Sequence, residues 1–176
     1  QHMNAGTALT MIDAADGFTV DDASVVRGLC SVAWPARLQR LRRGPLVAAL
    51  PGGWELWLDG AHNDSGGETV AVQARSWDDM PLDVVAGVLA SKEPEEILAP
   101  LAPYVRRLRA VAVPGDAVSL SADALAAAAR TVGIADAGSA ESVDAAVASL
   151  ARIAGPRRIL ICGSLYLAGA ILAENG

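Results

Sequence analysis

Residues 158–173 read RILICGSLYLAGAILA, and this stretch decides the fold. Within the predicted strand Arg158–Cys162, Ile159, Leu160 and Ile161 form a near-continuous apolar run, which is typical of a strand covered on both faces. The apolar run Ile159–Ala173 is shorter than a bilayer requires and is interrupted by glycine and serine, so it does not indicate a membrane span. We therefore predict a buried strand that leads directly into a helix starting at Ser164.

The same alternation of strand and helix extends back to Trp54. Predicted strands are Glu55–Leu58, Leu82–Leu89, Leu108–Val113 and Arg158–Cys162, with a further short one near Ile134. Predicted helices are Ser65–Trp77, Pro94–Tyr104, Ser121–Val132, Ser142–Ala154 and Ser164–Ala173. Apolar strands that alternate with helices predict an α/β fold with a doubly wound, mostly parallel, Rossmann-like sheet.

The first third of the chain has a different rhythm. Two short helices are predicted at Asn4–Ala14 and Asp22–Ser31, and two strands at Leu38–Arg42 and Leu46–Leu50. Proline after Trp34 disfavours helix, so we place a boundary there, with a helical segment at 1–33 and an α/β domain at 34–176. The first helix has no leading cap or partner element, and we expect a missing segment upstream.

Composition excludes several function classes. The formal net charge of −6 over 176 residues makes nucleic acid an unexpected partner, and the basic cluster around Arg40 is too short to change that. Cys30 and Cys162 lack ligand spacing and favour a reducing cytoplasm without a disulfide framework. There is no G-x-G-x-x-G, and because Lys92 is the only lysine and precedes Glu93, no G-x-x-x-x-G-K-[ST] phosphate loop exists.

Polar residues gather where predicted strands end. Asp59-Gly60-Ala61-His62-Asn63 follows the first strand of the alternating series, Ser91-Lys92-Glu93 follows the second, and Gly163-Ser164 follows the last. Arg37 lies just before the α/β domain's first paired strands. In open α/β sheets ligands bind beyond the carboxyl ends of the strands. A ligand site is therefore predicted at this edge, without indicating which ligand.

Five blocks of sequence carry a family resemblance. They read NAGTA at 4–8, WPARLQ at 34–39, LDGAHN at 58–63, GVL at 87–89 with KE at 92–93, and CGSLYL at 162–167. In this order they resemble the carboxy-terminal blocks of folylpolyglutamate synthase/dihydrofolate synthase, a branch of the Mur ligase superfamily. The first block resembles the helix that ends that family's central domain.

The resemblance implies an ATP-dependent amide ligase of folate biosynthesis and one-carbon metabolism. A missing central domain would carry the phosphate loop and hold Mg²⁺. ATP would phosphorylate a carboxylate of dihydropteroate or folate, and the amine of L-glutamate would attack the acyl phosphate. On this basis we expect a cytoplasmic monomer with small-molecule substrates, no nucleic acid and no membrane, and we expect the isolated chain to be inactive.

The resemblance also implies roles for single residues. Arg37 would reach an ATP phosphate, Asp59 would accept from the ribose hydroxyls, and His62 and Asn63 would lie beside the nucleotide. The alternatives are a solvated strand arginine, an Asp-Gly turn, a loop histidine and a helix cap, respectively; for Asn63 the helix cap is favoured.

Lys92 would face the glutamate or the acyl phosphate, making Arg37 and Lys92 the candidate catalytic residues. Ser164 would bind glutamate through its hydroxyl, although a simple helix cap is slightly favoured. No metal ligand is predicted within the chain.

Three positions depart from the family's pattern. The family usually has glycine where Ala36 stands, proline where Asp64 stands and aspartate where Glu93 stands. Ala36 is expected to restrict the hinge, because glycine visits backbone angles that alanine avoids. Two rival hypotheses are a cell-wall Mur ligase, which usually differs at WPAR and GSLY, and a non-catalytic nucleotide-binding module.

Overall fold

The computed structural model describes residues 2–17, 19–115 and 118–176, with side chains from residue 4 onward. Contacts between residues divide the chain into two compact units, Gln1–Pro35 and Ala36–Gly176. The first contains α1 (His2–Asp13) and α2 (Asp22–Ser31), close to the two predicted helices. Asp21 caps α2 by accepting from Ser24 N at 2.6 Å. That this unit ends a central domain stays a prediction.

The second unit is built on one six-stranded sheet. In sheet order the strands are β1–β2–β6–β3–β4–β5, and all neighbours are parallel except β1 and β2. Their bounds are β1 Gln39–Leu41, β2 Glu55–Leu58, β3 Leu82–Ala86, β4 Val105–Ala110, β5 Asp136–Ser139 and β6 Arg158–Cys162. The predicted α/β, mostly parallel fold is confirmed.

Helices cover both faces of the sheet. They are α3 Pro45–Ala48, α4 Asp64–Ser76, α5 Pro94–Leu98, α6 Ala122–Thr131, α7 Val143–Ala151 and α8 Leu165–Asn175, with a 3₁₀ turn at Ala102–Tyr104. Strand β3 shows why two layers are needed, since Val84 lies in one core cluster and Val85 in the other. Every residue of β3 and β6 is buried, as the apolar runs within them predicted; this includes one charged residue in each strand, Asp83 and Arg158.

Several element bounds differ from the sequence-based prediction. The strand predicted at Leu46–Leu50 is wrong, because Pro45 starts the short helix α3 and Leu46 turns into the core. The helix predicted at Pro94–Tyr104 stops at Leu98, and a proline-containing 3₁₀ turn completes it. The fourth and fifth strands are displaced by about three residues and by two residues, respectively, from the positions expected.

Asn175 fastens the far end of α8 to the segment between β1 and β2. Its Oδ1 accepts from Leu46 N at 3.0 Å and its Nδ2 donates to Ile171 O at 3.1 Å. Because Gly44 at the N-cap of α3 has no side chain, Asn175 supplies the capping acceptor from elsewhere in the chain. Asn175 is 2% exposed, so nothing from solvent replaces it.

We expect Asn175→Ala to lower the free energy of unfolding by about 1–3 kcal/mol, because the buried N–H of Leu46 in α3 would lose its acceptor. Glu174→Ala is the matched control; the side chain is exposed on the same helix, and its loss should change stability by no more than about 0.5 kcal/mol. Urea denaturation followed by circular dichroism measures both. Equal stabilities for the two variants would contradict the cap.

Candidate functional site at the carboxyl edge of the sheet

The loops that follow β2, β6 and β3 lie side by side. Asp59 N donates to Ile161 O at 2.9 Å, Gly163 N to Ala61 O at 2.9 Å, and Gly87 N to Cys162 O at 3.1 Å. The three strands are neighbours in the sheet, so their carboxyl ends share one edge. We give the name carboxyl edge to the loops 59–63 and 163–164 together with loop 36–38, which precedes β1 and lies beside the end of β2.

Arg37 reaches this edge because β1 runs antiparallel to β2. Gln39 pairs with Leu58, which places the start of β1 beside the end of β2, and Gly60 N donates to Ala36 O at 2.8 Å. The Arg37 side chain is exposed, and no hydrogen bond or ion pair engages it within the described part of the chain. Its guanidinium is therefore available to an anion.

Asp59 joins the two loops. Its Oδ2 accepts from Leu38 N at 2.8 Å and its Oδ1 from Ala61 N at 2.7 Å, and the residue is only 4% exposed. Burial raises the pKa of this carboxyl, while the two backbone donors and the charge of Arg37 act in the opposite direction. The carboxylate thus braces the loop that carries Arg37.

His62 and Asn63 follow on the same loop. His62 Nδ1 lies 2.8 Å from Gly60 O; in the tautomer that donates this bond, Nε2 is left as a free acceptor. Asn63 Oδ1 accepts from Gly66 N at 2.9 Å and caps α4. The structure therefore shows Asn63 as a helix cap, and its contact with nucleotide stays a prediction.

Ser164 and Lys92 are placed differently from each other. Ser164 Oγ accepts from Tyr166 N at 3.1 Å, which caps α8, and the residue is 1% exposed. Lys92 lies six residues beyond β3, in a turn where its N donates to Leu89 O at 3.0 Å. Within the described residues its half-buried ammonium has no ion pair, and no hydrogen bond links it to the other predicted site residues.

At the opposite edge of the sheet, Arg158 is engaged by two carboxylates. Arg158, at the start of β6, donates to Glu55 at 2.7 Å and to Asp79 at 3.1 Å, and lies 4.6 Å from the centre of the Trp77 ring. Glu55 also pairs with Arg40 at 2.9 Å. Among the described residues, Arg37 and Lys92 have no such carboxylate partner.

Sequence reasoning missed Gln39, whose Oε1 accepts from Ala36 N at 2.9 Å. It did single out Ala36 as standing where the resembled family has glycine. Ala36 adopts φ 53° and Leu38 φ 43°, both in the left-handed region that glycine favours. That substitution was the signal that this backbone is unusual.

Three polar groups characterise the carboxyl edge. The edge offers a free guanidinium, a free imidazole nitrogen and a buried carboxylate. Within residues 4–17, 19–115 and 118–176, no three His, Cys, Asp or Glu side chains gather into a group that could hold a metal ion. In the same part of the chain, none of the helices is both long and apolar enough to cross a membrane.

The chain is similar to known proteins in sequence and in fold. No family model matches the chain. The folylpolyglutamate synthase of Lacticaseibacillus casei is 28% identical over 148 residues, which are 84% of this chain and 31% of that protein. A probable bifunctional folylpolyglutamate synthase/dihydropteroate synthase of Halobacterium salinarum is 30% identical over 94% of this chain and 19% of its own length.

Among solved structures, Mycobacterium tuberculosis folylpolyglutamate synthase complexed with ADP superimposes with a TM-score of 0.71 at 27% identity. The match covers 88% of this chain and 35% of that one. The chain therefore shares the fold of one domain of that synthase. More particularly, the homologues are folylpolyglutamate synthases, and the chain is consistent with their carboxy-terminal domain, spanning about a third or less of their length.

Gly163 allows the loop after β6 to approach the loop after β3. Its φ is +107°, and a Cβ there would lie 2.6 Å from Gly87 O. Gly163→Ala should therefore destabilise the chain by more than about 1 kcal/mol. Gly169→Ala is the control, because its site within α8 is open and helical; it should be neutral or stabilising by up to about 1 kcal/mol. Thermal unfolding of both variants decides, and a harmless Gly163→Ala would refute the close packing.

Proposed function

We propose that this chain is the carboxy-terminal part of an ATP-dependent ligase that adds L-glutamate to dihydropteroate, folate or both through an acyl phosphate. The names of its relatives support this activity, and the M. tuberculosis neighbour is complexed with ADP. The observation that carries the proposal is that Arg37, which has no hydrogen bond or ion pair among the described residues, lies beside Leu38, whose N donates to the buried Asp59 at the carboxyl edge.

The chain's own residues would bind and orient the nucleotide. Arg37 would donate to phosphate oxygens and offset the charge that develops during transfer. Asp59 would accept from the ribose hydroxyls; its oxygens each accept one backbone bond and retain further acceptor capacity. His62 would contact the nucleotide through Nε2, which accepts a hydrogen bond when Nδ1 donates to Gly60 O. Closure of this domain over the nucleotide would exclude water from a hydrolysable intermediate.

ATP supplies the phosphoryl group that activates the carboxylate, and Mg²⁺ would be held by protein outside this chain, since the described residues contain no cluster for it. The isolated chain is accordingly expected to be inactive in ligation. Residues 1–33 would end the central domain. The enzyme would be a cytoplasmic monomer.

Lys92 is assigned to glutamate. An ammonium without a protein partner suits a substrate carboxylate, and lysine presents a compact charge where arginine presents a planar fork. Ser164 would act at the start of α8, where the helix dipole favours a carboxylate, although its hydroxyl is already engaged in capping. Asn63 would keep the nucleotide loop in shape by capping α4.

The experiment is Arg37→Ala in the full-length product of the gene. Turnover should fall far more than ATP affinity, with a loss of about 2–4 kcal/mol in transition-state stabilisation, since the role of Arg37 grows as charge develops. Steady-state kinetics with ATP, folate and glutamate measure it.

Arg42→Ala is the control, because Arg42 is an exposed arginine just beyond β1 and should retain normal turnover. If Arg37→Ala behaves like Arg42→Ala, Arg37 is a solvated strand residue and the phosphate assignment is wrong. A full-length product without any glutamate ligation would refute the proposed function as a whole.

A further inference from the structure

The loop that carries Arg37 has an unusual backbone. Ala36 at φ 53° and Leu38 at φ 43° flank the arginine, and neither is glycine. Side chains at such angles cost roughly 1–3 kcal/mol each and persist only where the surroundings hold them. Ala36 is also 4% exposed, so it is fixed in the core beside the loop. Something must hold these three residues in place.

Two side chains hold the loop from opposite ends. Asp59 Oδ2 accepts from Leu38 N at 2.8 Å, after the arginine, and Gln39 Oε1 accepts from Ala36 N at 2.9 Å, before it. A third bond runs from Gly60 N to Ala36 O at 2.8 Å. Asp59 is itself fixed by Ala61 N at 2.7 Å, so the carboxylate cannot turn away without losing a second bond.

The free cation and the strained loop coincide. Within the described residues, the Arg37 side chain makes no hydrogen bond or ion pair that would fix its orientation. Its direction is set by the backbone on either side. When a group that stabilises a transition state is displaced by about 1 Å, the rate can fall on the order of a hundredfold.

We propose that Gln39 and Asp59 are positioning residues that hold loop 36–38 in its left-handed conformation and thereby aim Arg37 at the transferring phosphoryl group. This rests on the proposed function and adds to it: Gln39 acquires a role, and Asp59 acts through Arg37 as well as through the ribose. Gln39 has no expected contact with any substrate, which makes it the cleaner of the two to test.

The test is a double-mutant cycle in the full-length gene product. Gln39→Ala should lower kcat about tenfold when Arg37 is present and change it less than about twofold in the Arg37→Ala background, because a misaimed group costs nothing once it is absent. Gln39→Glu keeps an acceptor oxygen for Ala36 N and should restore most of the activity. Equal losses in both backgrounds would overturn the proposal.

Asp59→Asn separates positioning from ribose binding. The decrease in kcat that Asp59→Asn causes should disappear in the Arg37→Ala background. Any contribution of Asp59 to ribose binding should persist in that background, as a change in the ratio of ATP to 2′-deoxy-ATP activity. A kcat loss of the same size with and without Arg37 would leave only the ribose contact and would overturn the role of Asp59 as a positioning residue.

Hydrogen exchange on the 176-residue chain gives a readout that needs no activity. The amide of Ala36 should exchange at least tenfold faster in Gln39→Ala, and that of Leu38 in Asp59→Asn, while Gly163 N, which donates to Ala61 O, keeps its protection. Unchanged exchange at Ala36 and Leu38 would overturn the clamp even if the enzyme proved to have another activity. Should Asp59→Asn fail to fold, the Gln39 variants decide alone.

Discussion

The burial of strand β6 between β2 and β3 is the constraint on which the rest of the structure depends. All five of its residues are buried, and it pairs in parallel on both sides. This placement brings the ends of three strands that are distant in sequence to one edge. Without β6 in this position, the Asp59 loop and the start of α8 would not lie side by side at one edge of the sheet.

Charge is distributed across the sheet in a way that follows from this arrangement. At the amino ends, Arg158 donates to Glu55 and Asp79 and lies over the Trp77 ring. At the carboxyl edge, the Asp59 carboxylate accepts from backbone donors, and Arg37 has no hydrogen bond or ion pair among the described residues. A cation kept free in a chain of net charge −6 favours an anionic ligand there.

Local patterns predicted most of the fold and the grouping of polar residues at one edge of the sheet. The apolar runs at β3 and β6 implied strands buried on both faces, and the blocks around Arg37 and Asp59 were found together at the predicted edge. The sequence does not identify α3 because the five apolar residues Leu46–Leu50 fit a strand as well as a helix; the structure shows that Pro45 starts a helix there.

What sequence could not give are bonds between distant residues. The left-handed backbone at Leu38 depends on Asp59, and the cap of α3 depends on Asn175 at the other end of the domain. Neither partner is marked by local spacing. The roles assigned to Lys92 and Ser164 need a ligand for their test, since the structure shows one as an unpaired cation and the other as a helix cap.

The central claim is that nucleotide binds at the carboxyl edge. Titrating the ¹⁵N-labelled chain with ADP and following its amide resonances tests this most directly. The account predicts shifts confined to residues 36–38, 59–63 and 163–165. Shifts clustered instead around Trp77, Asp79 and Arg158, or none at millimolar ADP, would contradict it.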